Sequence, residues 1–379
     1  MDIYRIFIIL CIIIITTAVL YRLYQQRKEI LGINGFSNIE GLDNQSSKPN
    51  SYAEKEFDQL KSQISWPANI SSSISPKLIG YPLKQYCIKA ARNTACTGTY
   101  MNLDMITYCM QRGCRFLDFE IYCDASNNAV VSQSTDSAYS LDGKTTLPIK
   151  SVFDTIMGGA FTGYISPNFS EPIFIQLHIK MDPENPKIQS FIQNVAKMIR
   201  EKITSTGLQY SGKISFNTKL DKLMGKVVVL VNQTAVIDPN NKYSAILLNN
   251  ADLGTVVNMM TGSYDTCPIT QFTSISQLIK DVNVQKPVMN SDSITTNIDR
   301  LREVILDPSV KANLDCYPVI SETGIQILPY TFYYMSDYGT ELQKYEGIFE
   351  NTKSGCIPLA YVLNHITAKK PKIGTTLGI

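Results

Sequence analysis

The chain has 379 residues, of which 44% are hydrophobic and 18% charged, with a formal net charge of +2. That length holds one large domain with additions, or two of ordinary size. So small a charge leaves no electrostatic footprint for nucleic acid, which is set aside as a partner.

The first element in chain order is apolar. The run "IYRIFIILCIIIITTAVLYRLY" (Ile3–Tyr24) is charged only at Arg5 and Arg22. About 20 apolar residues span a bilayer as a helix. Arginines near the ends reach the headgroups, and Tyr4, Tyr21 and Tyr24 fit an interfacial aromatic belt. A cleaved signal peptide is the rival reading, but no small-x-small site follows the run. Residues 3–24 are therefore expected to form a transmembrane anchor. Arg22, Arg27 and Lys28 outweigh Arg5 and the amino terminus, which places the large domain of a single-pass protein on the cytosolic side. The scattered cysteines suit reduced thiols rather than a disulfide framework.

Residues 25–80 are rich in Ser, Asn, Gly and Pro and read as a flexible tether, interrupted by one helical patch at Tyr52–Gln63. The tether carries Trp66, whose context leaves it either packed on the following domain or touching the membrane. From Tyr81, short apolar runs alternate with amphipathic segments. Strands are expected at Tyr86–Ala91, Arg115–Cys123, Ala129–Ser132, Ile173–Ile179, Lys226–Val231, Ala245–Asn249, Gly324–Tyr334 and Leu359–Leu363. The clearest helix follows Pro186, where Ile188, Phe191, Ile192, Val195, Met198, Ile199 and Ile203 trace one stripe and Gly207 lies just past the end. Strand–helix alternation of this length predicts an α/β fold, a TIM-barrel-like (β/α)8 domain over residues 81–366 with a tail at 367–379. An open doubly wound sheet would call for a glycine-rich phosphate loop after its first strand, and none is there.

The stretch "RFLDFEIYCD" (Arg115–Asp124) aims Asp118 and Glu120 at the same face of a strand. Two buried like charges repel and are costly to desolvate, so something must sit between them. In a barrel, function gathers at the C-terminal strand ends. Arg92, Asn93, Asp118, Glu120, Gln133, His178 and Lys180 fall there. Asn93, Asp118, Glu120 and His178 together offer an amide oxygen, two carboxylates and an imidazole to a divalent cation.

The order of these residues resembles the X half of the phosphoinositide-specific phospholipase C catalytic domain, in the phospholipase C-like phosphodiesterase superfamily. "AARNTACTG" (Ala90–Gly98) is similar to that family's first-strand Ser-Ser-His-Asn-Thr-Tyr loop with its later Thr-Gly. "GCRFLDFEIY" (Gly113–Tyr122) resembles its second strand, and "AVVSQS" (Ala129–Ser134) its Pro-Val-Val-x-His-Gly. "EPIFIQLH" (Glu171–His178) and "LMGKVVVLVN" (Leu223–Asn232) resemble the next strands. "ETGIQILPYTFYY" (Glu322–Tyr334) and "GCIPLAYVL" (Gly355–Leu363) look like the end of the Y half. The resemblance covers about Tyr81 to Leu363.

What the resemblance implies turns on its departures. The family's two catalytic histidines act as general base and acid; Arg92 and Gln133 stand in their places, and neither exchanges a proton near neutral pH. Asn93 is retained, Asp118 and Glu120 exchange the family's Glu and Asp, and His178 replaces a calcium-binding glutamate. Such a set is softer than an all-oxygen calcium site and suits Mn or Zn better than Ca. Leu230 and Asn232 stand where phosphate-binding lysines are expected, leaving Lys180 and Arg115 as candidate substrate-binding residues. The alternative to a metal is that Arg92 neutralises Asp118 and Glu120 as a structural ion pair.

The leading expectation is a membrane-anchored, catalytically inactive relative that serves as a scaffold or binding module. Its partners would be the lipid bilayer and other proteins. The Ile-, Asn- and Lys-rich style fits a large DNA virus, in which such a chain could link a virion inner membrane to capsid proteins. The second expectation is a divergent metal-dependent phosphoric diester hydrolase in which Arg92 holds the phosphate and a bound cation activates water or the substrate hydroxyl. The third is headgroup binding without turnover.

Overall fold

The computed structural model describes residues 21–22, 51–134, 141, 143–232, 251–265, 267–290, 293–310, 312–334 and 339–369. The chain divides into two compact units, Met1–Lys48 and Pro49–Ile379. The anchor expected over 3–24 lies outside the described residues except for Tyr21 and Arg22, and so do residues 25–50 of the tether. Among the described residues, no helix is long and apolar enough to cross a membrane.

The second unit is built on parallel strands that follow one another round in chain order. β1 (Tyr86–Ile88) and β2 (Ala90–Ala91) lead to β3 (Phe116–Cys123), and an antiparallel extension, β4 (Ala129–Ser132) and β5 (Leu147–Pro148), folds back on the end of β3. Then come β6 (Ile173–Lys180), β7 (Val227–Asn232), β8 (Met259–Gly262), β9 (Ile269–Phe272) and β10 (Leu301–Val304). From β2 through β3 and β6 to β10 every neighbouring pair is parallel. The ring closes through the stretch around Ile327 and Tyr330, which bridges Glu303 on one side and Ile88 and Ala91 on the other, all in parallel sense. β11 (Cys356–Pro358) pairs antiparallel with β1. The expected (β/α) barrel is the fold of this unit.

Alternation along the strands makes two cores. Leu117, Phe119 and Ile121, with Ile175, Leu177, Val229 and Val231, face outward into one cluster. They meet the apolar stripes of α2 (Leu103–Gln111), α3 (Ile149–Gly159) and α4 (Ile188–Lys202) there. The opposite phase fills the barrel. At its N-terminal end Phe116, Phe174, Val228, Leu230, Met259, Ile269, Leu301 and Ile327 form an apolar plug. One step higher the same phase turns polar: Asp118, Glu120, Gln176, His178, Asn232, Thr261, Gln271 and Glu303 are all buried.

Several expected elements differ. Leu359–Leu363 is not a strand but the start of the last helix, α9 (Leu359–Lys369); its buried Leu359, Val362, Leu363 and Ile366 have helical spacing. Residues 367–369, expected as tail, are the end of that helix, and the remainder lies outside the described residues. Gly324–Tyr334 supplies isolated bridges rather than a continuous strand. Ala245–Asn249 lies outside the described residues. β8, β9 and β10 went unforeseen because each is four residues long. The inward Thr261, Gln271 and Glu303 also interrupt the apolar run that marks a buried strand.

The compact unit starts well before Tyr81. Helix α1 (Ser51–Gln63) buries Ala53, Phe57 and Leu60, and the chain beyond it buries Ile64, Ile70 and Ile74. Residues 51–80 thus form a strap on the barrel rather than a tether. Tyr52 stacks on Tyr100 just past β2, and Ile70 lies against Gly113 just before β3, so the strap runs from the C-terminal strand ends toward the N-terminal ends.

Candidate functional site

The polar layer is positioned by register. β3 and β6 align Asp118 with Gln176 and Glu120 with His178, and β7 and β8 align Asn232 with Thr261. Asp118 and His178 are in direct contact through Oδ1 and Nε2. The Asn232 amide lies 2.8 Å from His178 Nδ1. Asp118 also accepts from the Asn93 backbone N–H at 3.3 Å and from Gln176 Nε2 at 3.4 Å. Burial pushes the Asp118 carboxyl upward, but His178 beside it, the Asn93 N–H and the more distant Arg92 hold it below the usual carboxylate range. Both nitrogens of His178 are therefore engaged by neighbours.

Glu120 is held separately. It accepts from the Tyr122 hydroxyl at 2.7 Å and from the Ser134 backbone at 2.9 Å, and lies 3.9 Å from Lys180. Deeper in the barrel, Glu303 accepts from Gln176 at 2.9 Å and Gln271 at 3.1 Å. Burial and the charge of Asp118 push its carboxyl up to about 8. Two amide donors hold it in place.

The expected Arg92 ion pair is not formed. Arg92 is buried and its Nη1 donates to the Val310 carbonyl at 3.1 Å. The partners of Asp118 and Glu120 are His178 and Lys180, because the register of β6 brings alternate polar residues alongside the two carboxylates. Gln133 is tied down as well, donating to Gly98 O at 2.9 Å and accepting from Cys96 Sγ at 2.8 Å.

Arg115 is not at this site. It precedes β3, at the opposite end from the carboxylates, and donates to the carbonyls of Ala160, Asn168 and Glu171 at 2.5–3.1 Å. It is a buried clamp on the loop before β6, with no face for a substrate. His365, on α9, meets the Tyr317 hydroxyl at 3.2 Å, away from the polar layer. Gln176, Gln271 and Glu303 belong to the layer without forming part of the expected site. The phase that exposed Asp118 and Glu120 would have found Gln176, since Gln176, His178 and Lys180 follow one another in steps of two.

As a cation site the expected donor set is spent. Asp118 faces His178 and Glu120 faces Lys180; within the expected set the Asn93 side-chain oxygen is buried without a hydrogen-bond partner, as are Gln176 Oε1 and Thr261 Oγ1 elsewhere in the polar layer. Asn93 adopts a left-handed conformation, φ +42°, which its residue type tolerates. Its side chain also meets the buried Tyr333 hydroxyl. Among the described residues, no three His, Cys, Asp or Glu side chains are grouped to hold a metal ion. Arranged in this way, the residues do not fit Ca, Mn or Zn.

Residues 79–233 match the family described as phosphatidylinositol-specific phospholipase C, X domain. That span contains Arg92, Asn93, Asp118, Glu120, Gln133, His178 and Lys180. No curated protein matches the chain. Among solved structures, that of L. pealei PLC21 is similar at 12% identity with a TM-score of 0.50, covering 75% of this chain and 39% of that one. S. officinalis PLC21 gives 12% identity and a TM-score of 0.49, over 74% of this chain and 37% of that one. A calcium-dependent phosphoinositol-specific phospholipase C from Pseudomonas sp. gives 12% identity and a TM-score of 0.43, over 78% and 100%. The chain thus spans 37% to 39% of the length of the two PLC21 proteins. Likeness at this identity speaks to the fold alone, and the virion attribution receives no support from it.

Proposed function

We propose that this chain, a divergent member of the phospholipase C-like phosphodiesterase superfamily by the X domain matched over residues 79–233, works as a binding or scaffold module without turnover. The observation that carries this reading is the state of the two positions that need a proton-exchanging group. Arg92 is committed to the Val310 carbonyl, and Gln133 to Cys96 and Gly98. Loss of general acid or base catalysis costs ~10² to 10⁴ in rate for each role. His178 does not restore it, since Asp118 and Asn232 engage both its nitrogens.

The membrane is the surface the module would serve. The strap reaches the barrel at the C-terminal strand ends, where Tyr52 stacks on Tyr100. In this reading the large domain lies on the cytosolic side, with lipid and protein partners, and attachment of a virion membrane to its capsid is one setting for that role. A mass-spectrometric inventory of purified particles tests that setting.

The second reading, a metal-dependent phosphoric diester hydrolase, draws on the unpartnered Asn93 oxygen beside Asp118. One experiment decides between the two. The full chain is given phosphatidylinositol vesicles with calcium, manganese or zinc in turn, beside an Asp118→Asn variant. The expected result is no release of inositol phosphate in any metal. Release that disappears in the variant overturns the scaffold reading.

A further inference from the structure

The loop Thr97–Tyr100, just past β2, makes a small concave array of donors. The Thr97 hydroxyl points into it at 2.5 Å from Glu56 Oε2, and the backbone N–H groups of Thr99 and Tyr100 each reach the same oxygen at 3.1 Å. The Thr99 N–H is shared with Glu56 Oε1, also at 3.1 Å. Gly98 sits at φ +130°, and a Cβ there would come within 3.2 Å of Glu56 Oε1. Only glycine supplies that backbone and leaves room for an oxyanion against it. The Lys144 ammonium stands 5.7 Å from the centre of the Tyr100 ring. Successive backbone N–H groups around a glycine form the kind of concavity that binds anions.

What fills the array belongs to the strap. Glu56 shares the inward face of α1 with Ala53, Phe57 and Leu60. Burial works against its charge, yet the hydroxyl of Thr97 and the N–H groups of Thr99 and Tyr100 hold its carboxyl below the usual range. The loop is also tied to its own side of the barrel, because Gly98 O accepts from Gln133 and Gly98 N donates to Cys96 Sγ at 3.2 Å.

We propose that the Thr97–Tyr100 loop is a binding site for a phosphate monoester, which the Glu56 carboxylate occupies in cis. A phosphate group offers the same acceptor oxygens with more charge, and charge-assisted hydrogen bonds from N–H and O–H donors are its ordinary means of recognition. The carboxylate stands in for it and sets the threshold a ligand must exceed. Displacement removes the tie that Glu56 makes between α1 and the loop, so an anionic ligand would loosen this part of the strap.

The test is isothermal titration of the full chain with inorganic phosphate, in wild type and Glu56→Ala. Removing the resident carboxylate is expected to tighten phosphate binding by about tenfold or more. Adding Thr97→Val to Glu56→Ala should reverse that gain. Dihexanoyl phosphatidate and dihexanoyl phosphatidylcholine, titrated in parallel, separate a lipid headgroup from free phosphate. Binding of phosphatidate alone assigns the site to a lipid, equal binding of phosphatidate and inorganic phosphate assigns it to the phosphate group itself, and equal binding of both lipids removes the monoester. If Glu56→Ala does not fold, Glu56→Gln, which keeps one acceptor but no charge, carries the same expectation. Affinity for phosphate and for phosphatidate both unchanged in the variant that folds overturns the proposal and leaves Glu56 as a cap on the loop. The outcome is independent of phosphatidylinositol turnover.

Discussion

Glu303 lies inside the barrel with its carboxyl pushed up to about 8 by burial and by the charge of Asp118. In the unfolded chain it would titrate near 4.5, the ordinary range of a glutamate carboxyl. Between those values the folded protein holds a proton that the unfolded chain releases, so stability falls as the pH rises through this window. Burial likewise pushes the Glu171 carboxyl up to about 7, against the pull of Arg115, and acts in the same direction. Replacing Glu303 with Gln removes one of the two ionisations and keeps the size of the side chain, with one of its two acceptor oxygens exchanged for a donor. The expected outcome is a flatter dependence of the urea midpoint on pH from roughly 5 to 8, with the variant more stable than wild type at the alkaline end. A slope unchanged from wild type would mean that Glu303 ionises freely in the fold.

At the scale of elements, the strap is held at its far end by a buried charge cluster. Glu346, on α8 (Thr340–Gly347), pairs with Lys89 at 2.7 Å and with Arg112, and accepts from the Trp66 indole at 2.6 Å. Trp66, left between barrel and membrane by its sequence context, therefore packs on the barrel. Burial opposes the Glu346 charge, but Lys89 and Arg112 hold its carboxyl below the usual range. Glu346→Gln leaves two buried cations without their counter-charge, a change that typically costs about 3–5 kcal/mol. Urea denaturation should show a loss of that order. The emission of Trp66, the only tryptophan in the chain, should shift to the red as the strap loosens. The arrangement also explains why β1 and β2 are separate: between them Lys89 turns out of the barrel to reach Glu346.

For the whole molecule, the boundary at Pro49 makes a prediction about truncation. A chain starting at Pro49 keeps Phe57, Leu60, Ile64, Ile70 and Ile74, all buried. One starting at Tyr81 loses them and uncovers the surfaces they protect. Burial of such a side chain contributes about 1.5–3 kcal/mol, so their sum rivals the 5–15 kcal/mol by which a typical domain is stable. The shorter chain is expected to aggregate or melt well below the longer one in a calorimetric scan. Equal melting temperatures would show that the strap is an accessory to a barrel that stands without it.

The sequence by itself determined the barrel and the inward aim of Asp118 and Glu120, because strand alternation is a local property that each segment carries alone. The same alternation in β6 marked His178 and Lys180 as their neighbours in phase. Only the tertiary structure decided which groups meet. Register across β3 and β6 gives Asp118 to His178 and Glu120 to Lys180, while Arg92 turns to Val310 and Arg115 lies at the wrong end of its strand. The same holds for Leu359–Leu363, an apolar run too short for its period to declare itself, and for Glu56, one charge among several on an exposed-looking helix until its loop is in place. Local chemistry sets which way a side chain points; its partner depends on strands and loops far away in sequence, and those distances are closed only by folding.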